Sequence, residues 1–327
     1  MPQNPDPTRQ NNGFDDLVQD NGAVQSPTQH TQQVPPREPE RSPEPIVARR
    51  DETYTEEELS DVNNIRVTIS DAQTPIVVFF GSPASGKTMT LLRMIRFLQT
   101  PSSPHSGNHT YVVEADPLFR PKSDIHFEKM CRGLQDMAYS PYAPGANDDI
   151  SFMLVKVLDG GEPVCQILEA PGEHYFDGTG NMTFPTYINA IRLSPNPKKW
   201  VFFVEQDWGD INERQLYSNK IRSMQNLISP DDEIIFLINQ VDKKRNSQYS
   251  DGKPKKDIFM TNITNQYPGI FDAYRRTGFD KFLFGEFKFE TVCFSSGVYN
   301  PTADGKHEVW TPESDWYCQE LWKAINK

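Results

Sequence analysis

The chain has 327 residues and a mass of 37.4 kDa, and 45 Asp and Glu against 33 Lys and Arg give a formal net charge of −12. That length is ample for a sizeable core, while the acidic balance and the lack of a basic stripe exclude bulk nucleic-acid binding, which needs clustered cations for its phosphate contacts. Four scattered cysteines (Cys131, Cys165, Cys293, Cys318) without a CxxC pair argue against a disulfide framework or structural zinc; no signal peptide and no membrane span are expected, and the expected setting is cytoplasmic.

Residues 1–64 differ in composition from the rest of the chain. Nine prolines lie between Met1 and Arg50, with a single Phe, Tyr or Trp, Phe14, and the run Asp51 to Asp61 adds six acids and no base. Such a stretch buries too little apolar surface to offset its ordering entropy, so 1–64 is expected to be a disordered arm, with a short helix in TEEELSDVN. The folded domain is expected over 65–327.

Within it, TPIVVFF (74–80) is a wholly apolar, β-rich run of the kind found in a strand covered on both faces. A Gly-rich turn follows, and then TMTLLRMIRFLQ (88–99) has apolar residues at helical spacing. Residues 101–149 read as an insert, with a strand-like TYVVEAD and a helix-like SDIHFEKMCRGLQDM; it serves either as extra packing or as a partner contact. SFMLVKVLD (151–159) and EPVCQILEA (162–170) flank Gly160-Gly161, a two-residue hairpin signal. KWVFFVEQD (199–207) and DEIIFLINQVD (232–242) read as strands around the helix-like 212–228. FKFETVCFSS (287–296) reads as a last strand and 314–327 as a closing helix. Alternating strands and helices predict a three-layer α/β fold with a mostly parallel sheet.

The strongest chemical signal is Gly81-Ser82-Pro83-Ala84-Ser85-Gly86-Lys87-Thr88, which fits GxxxxGK followed by Ser or Thr, between a predicted strand and a predicted helix. Backbone amides of such a loop form an anion nest reinforced by the helix N-terminus. Lys87 is expected to reach the β- and γ-phosphates, and the Thr88 hydroxyl to ligate Mg²⁺.

Two further segments follow in order. VCQILEAPGE carries Glu169, Gly172 and Glu173 at a strand end, and IIFLINQVD ends in Asn239-Gln240-Val241-Asp242. With the phosphate loop these resemble the P-loop GTPase superfamily of the Ras-like and translation-factor-like class, whose fold is the Ras-like G domain. LEAPG resembles the switch II DxxG motif, with Glu169 where Asp is usual. The added methylene displaces the carboxylate by about 1.3 Å, which alters metal coordination. NQVD resembles the NKxD guanine motif: the resemblance implies that Asp242 accepts from guanine N1 and N2, that Asn239 ties the turn to the phosphate loop, and that Gln240, in place of Lys, covers the base without a charge. Ser295 and Ser296 in VCFSSG resemble the loop that meets guanine O6. Gly172-Glu173 and the long insert resemble the bacterial double-GTPase domains, whose partner is another GTPase-like protein.

The resemblance implies a switch protein that binds GTP or GDP with Mg²⁺, hydrolyses GTP slowly and signals to a protein partner. Lys87, Gly172 and Glu173 would be its catalytic residues, Glu173 standing where a water-orienting Gln is usual, and Thr88 with Glu169 its metal ligands. The loop 139–149 is the expected switch I but contains no Thr, leaving Ser140 or Asn147 as substitutes. Arg120, Arg132, Arg192 and Arg214 are available as arginine fingers without any being assigned. The alternatives are a nucleotide-binding scaffold that has lost hydrolysis and an ATP-using phosphate-loop enzyme such as a small-molecule kinase.

Overall fold

The computed structural model describes residues 53–55, 58, 61, 63, 66–100, 109–143, 152–178, 183–206, 208–244, 248–250, 252–284 and 287–327. The expected arm lies outside the described residues up to position 52. Within the arm's expected span, Thr53–Tyr54 forms a two-residue strand (β1). Tyr54 has something to bury: its ring meets Phe119 edge-on with centroids 6.4 Å apart, and its hydroxyl accepts from the Arg66 amide at 3.0 Å.

In chain order the strands are β2 Ile76–Phe80, β3 Tyr111–Pro117, β4 Arg120–Pro121, β5 Met153–Asp159, β6 Glu162–Glu169, β7 Lys198–Glu205, β8 Glu233–Asn239, β9 Tyr249–Ser250, β10 Lys253–Pro254, β11 Glu290–Cys293, β12 Val298–Pro301 and β13 Glu308–Thr311. The helices are α1 Lys87–Gln99, α2 Asp124–Tyr139, α3 Thr186–Leu193, α4 Ile211–Met224, α5 Lys256–Gln266, α6 Gly278–Phe284 and α7 Trp316–Ile325. Seven strands make one sheet in the order β11-β8-β7-β2-β6-β5-β3. The pairs from β11 through β6 are parallel, and β6-β5 and β5-β3 are antiparallel. This is the mixed α/β, mostly parallel architecture expected.

β2 is buried at all five positions. Since alternate side chains point to opposite faces, the centre of the sheet is covered on both sides. Phe79, Phe80, Phe202, Phe203 and Phe236 fill it, each at most 1% exposed. Gly160 and Gly161, at φ 58° and 94°, close the β5–β6 hairpin. The stretch read as an insert divides in two: TYVVEAD is β3, which extends the sheet at its antiparallel edge, and α2 packs against β3 and α1. Positions 101–108 and 144–149 of it lie outside the described residues.

Helices α3, α5 and α6 and the β12–β13 hairpin have no counterpart in the sequence reading. α3 has only 8 residues, and α5 buries only Phe259 and Ile263, so neither shows a long apolar period. The last sheet strand begins at Glu290, three residues later than expected, because Phe287 and Phe289 pack as rings on Phe271 rather than in the ladder. No helix among the described residues is long and apolar enough to cross a membrane.

Candidate functional site

The C-terminal ends of β2, β6, β8 and β11 bring the phosphate loop, LEAPGE, NQVD and FSSG to one rim of the sheet. This is the rim where ligands of open α/β sheets collect, because the strand-to-helix turns there present backbone amides.

Gly81 to Gly86 join β2 to α1. Ala84 and Gly86 are left-handed, at φ 57° and 87°, and Ser85 N turns back onto the Ser82 carbonyl at 3.3 Å. A positive φ at Ala84 is strained backbone held by its surroundings, as expected of a loop shaped for an anion. α1 opens without a side-chain cap and without an acid in its first turn, so its N-terminal positive end is not neutralised from within. The exposed Pro83 and Ala84 form the loop's crest.

Lys87 is 6% exposed and folds back over the loop, donating to the carbonyls of Gly81 at 3.1 Å and Ser82 at 2.8 Å. Burial lowers its ammonium to about 8, while the charges of Glu169, Glu173 and Glu205 pull the other way. Thr88 donates its hydroxyl to Glu169 Oε1 at 2.6 Å. Burial pushes the Glu169 carboxyl up to about 7 against that bond and against Lys87, and its second oxygen, Oε2, is buried without a partner. A buried, unsatisfied carboxylate oxygen costs free energy unless something positive meets it. Thr88 and Glu169 therefore fit a hard cation, which both oxygen-bearing side chains would hold. Among the described residues no three His, Cys, Asp or Glu side chains cluster as a metal cage.

Gly172 lies against the phosphate loop itself. A Cβ there would fall 2.6 Å from both Pro83 Cα and the Ser82 carbonyl carbon, so only glycine allows this approach. Glu173 follows in a short 3₁₀ turn, Gly172–His174, and is exposed. With Ser82, Pro83, Ala84, Phe176, Asp177, Glu205, Trp208 and Glu213 it lines a cavity of about 470 Å³. Four of these residues are carboxylates, and neither Trp208 nor the three acids besides Glu173 had any spacing in the sequence that marked them.

Asn239 ends β8, wholly buried, and its Nδ2 donates to the Ser85 carbonyl at 2.7 Å. Gln240 is left-handed at φ 57° and Asp242 follows in a 3₁₀ turn, half-buried. This turn interlocks with the one after β11: Val241 N donates to Phe294 O at 3.3 Å and Phe294 N to Ile238 O at 2.8 Å. Ser295 and Ser296 thus stand beside NQVD, both buried.

The expected switch I behaves differently in its described part. Ser140 caps the end of α2, and Pro141 to Ala143 add to the edge of β13, with Trp310 N donating to Pro141 O and Ala143 N to Glu308 O, each at 2.9 Å. Asn147 lies outside the described residues. Arg120 and Arg132 are taken up in exposed i,i+4 pairs with Asp124 at 3.0 Å and Glu128 at 3.2 Å.

No protein-family model matches the sequence, and no protein of curated function does. Among solved structures, similarity is found to nucleolar GTP-binding protein 1 from Plasmodium falciparum, at 12% identity and a TM-score of 0.33, covering 70% of this chain and 80% of that one. A signal recognition particle receptor SRb-GTP/SRX complex from Chaetomium thermophilum aligns at 12% identity and a TM-score of 0.33, covering 72% of this chain and 99% of that one.

Proposed function

We propose that this protein binds GTP and GDP with Mg²⁺, hydrolyses GTP slowly and reports the bound state to a protein partner. The observation that carries the reading is the convergence of three segments distant in sequence: Asn239 donates to Ser85 at 2.7 Å, Gly172 rests on Pro83, and Thr88 meets Glu169 at 2.6 Å. The turn after β8 for the base and the turn after β6 for the γ-phosphate and the metal are then assembled around a single anion nest.

In this reading the loop amides and Lys87 neutralise phosphate charge, which is most of what phosphoryl transfer to water requires. The metal supplies further charge neutralisation at the phosphates, and Thr88 and Glu169 are the side chains that would hold it. Asp242 accepts from guanine N1 and N2, groups that adenine lacks. Glu173 orients the water or takes its proton.

Glu173, Asp177, Glu205 and Glu213 stand around the cavity beside the loop and repel a γ-phosphate, so intrinsic turnover is expected to be slow and a partner that supplies positive charge to accelerate it. The partner we infer is a protein, with a second GTPase-like domain of the double-GTPase kind as the first candidate, acting in the cytoplasm.

A second reading is a nucleotide-binding scaffold without hydrolysis, favoured by Glu169 in place of Asp, Gln240 in place of Lys, and a switch I stretch without Thr. A Mg²⁺-dependent titration with a fluorescent GTP analogue, competed by GTP and by ATP, tests the first. GTP is expected to displace it at least about a hundredfold better, the discrimination available to a carboxylate that the base covers and the wrong base leaves unpaired; equal competition by ATP overturns the guanine assignment. Glu173→Ala should slow hydrolysis about tenfold or more, in the range of general base catalysis, and a change under twofold removes Glu173 from the mechanism.

A further inference from the structure

The turn after β11 is held from outside. Trp310, on β13 and 4% exposed, donates its indole Nε1 to the Ser296 carbonyl at 2.8 Å, and Tyr299, on β12, donates its hydroxyl to Ser296 Oγ at 3.1 Å. The carbonyl and the hydroxyl of one serine are thereby bonded to one hairpin. Gly297, at φ 127°, makes the approach possible, since a Cβ there would fall 2.5 Å from Thr311 O and 2.6 Å from Trp310 Nε1.

The hairpin is itself anchored to the helix that leaves the phosphate loop. The Arg96 guanidinium lies 4.0 Å from the Trp310 ring centroid and donates to the carbonyls of Ala138 and Ser140, while Arg93 pairs with Asp315 at 3.0 Å just beyond β13. On the other side Tyr299 lies near the base turn: burial raises its phenol, and the charge of Asp242 adds to that. A Ser-Ser-Gly turn after a strand needs no such frame to form. What the frame adds is a fixed position for the backbone around Ser296 relative to Asp242, and position is what discriminates between bases.

We propose that the β12–β13 hairpin is a base-specificity element, in which Trp310 and Tyr299 are positioning residues that set the Ser295–Gly297 backbone against the 6-substituent of guanine. This rests on the guanine reading above.

The test uses the full chain and three competitors. GTP and 6-thio-GTP differ only at the 6-substituent, where sulfur is the weaker acceptor, and ITP lacks the 2-amino group that Asp242 would bind. Wild type is expected to prefer GTP over 6-thio-GTP by about tenfold, the worth of one well-placed hydrogen bond. Trp310→Phe keeps a ring against Arg96 but loses the donor to Ser296, and should bring that ratio to about one while the GTP-to-ITP ratio stays at its wild-type value. Tyr299→Phe deletes one hydroxyl and should move the same ratio in the same direction by about threefold; it carries the test where Trp310→Phe does not fold. Equal weakening of all three nucleotides would mean a purely structural role and overturns the proposal. So does an unchanged 6-thio ratio in both variants, with the guanine reading left intact. A wild type that does not discriminate at the 6-position overturns the role assigned to this turn, and one that does not prefer GTP over ATP overturns the guanine reading beneath it.

Discussion

At the scale of single residues, the site is organised by charged groups buried without a full counter-charge. Lys87 is bonded to loop carbonyls and a hydroxyl rather than to a carboxylate, and Glu169 keeps one oxygen without a partner. Burial pushes both toward their neutral forms, to about 8 and about 7 respectively. A phosphate at Lys87 and a cation at Glu169 would each favour the charged form, so the two ligands are expected to bind cooperatively. Asp242→Asn offers a separate test at this scale. An amide presents a donor where guanine also presents one but xanthine presents an oxygen, so GTP binding should weaken about a hundredfold while XTP binding strengthens, read by competition with the fluorescent analogue. These side chains were legible from chain order alone: GSPASGKT, LEAPGE and NQVD each end a recognisable strand. Trp208, Trp310 and Glu205 were not, because no spacing links residue 310 to 296 or 205 to 173; only the tertiary fold brings them together.

At the scale of elements, the candidate site is built from turns rather than from strands. β2 and β6 are neighbours in the sheet, so the turns at their ends meet, and Gly172 is the point of contact. Gly172→Ala must move one turn off the other. The expected outcome is diphosphate binding within about threefold of wild type but triphosphate binding weakened about tenfold, measured by parallel GDP and GTP titrations, since in the proposed function the lost backbone contact is the one to the γ-phosphate. The insert illustrates why an element's role is harder to read than its existence. TYVVEAD was recognisable as a strand, yet whether it belonged to a partner surface or to the core depended on its pairing with β5, a contact across about 40 residues of chain. Likewise the described part of the expected switch I, Pro141 to Ala143, is spent on the edge of β13, and that hairpin has no long apolar run to announce it.

At the scale of the whole molecule, a site built from four strand ends should bind its ligand only when folded, and binding should therefore stabilise the fold. GTP with Mg²⁺ at a hundred times its dissociation constant adds about 2.7 kcal/mol. For a domain of this size that is roughly 5–10 °C in Tm. A thermal shift assay should show that rise with GTP, at most about 1–2 °C with ATP at the same concentration, and its loss on adding EDTA. The sequence by itself determined the phosphate loop, the alternation of strands and helices and the order of the three site segments, because each depends on local pattern: apolar period, glycine placement and the spacing of a few polar side chains. The tertiary structure alone decided that β3 lies in the main sheet, that Gly172 touches Pro83, that acids line the cavity beside the loop, and that a hairpin near the C-terminus clamps Ser296. Those are contacts between residues far apart in the chain, and their free energy comes from shared burial in one core, which no local pattern encodes.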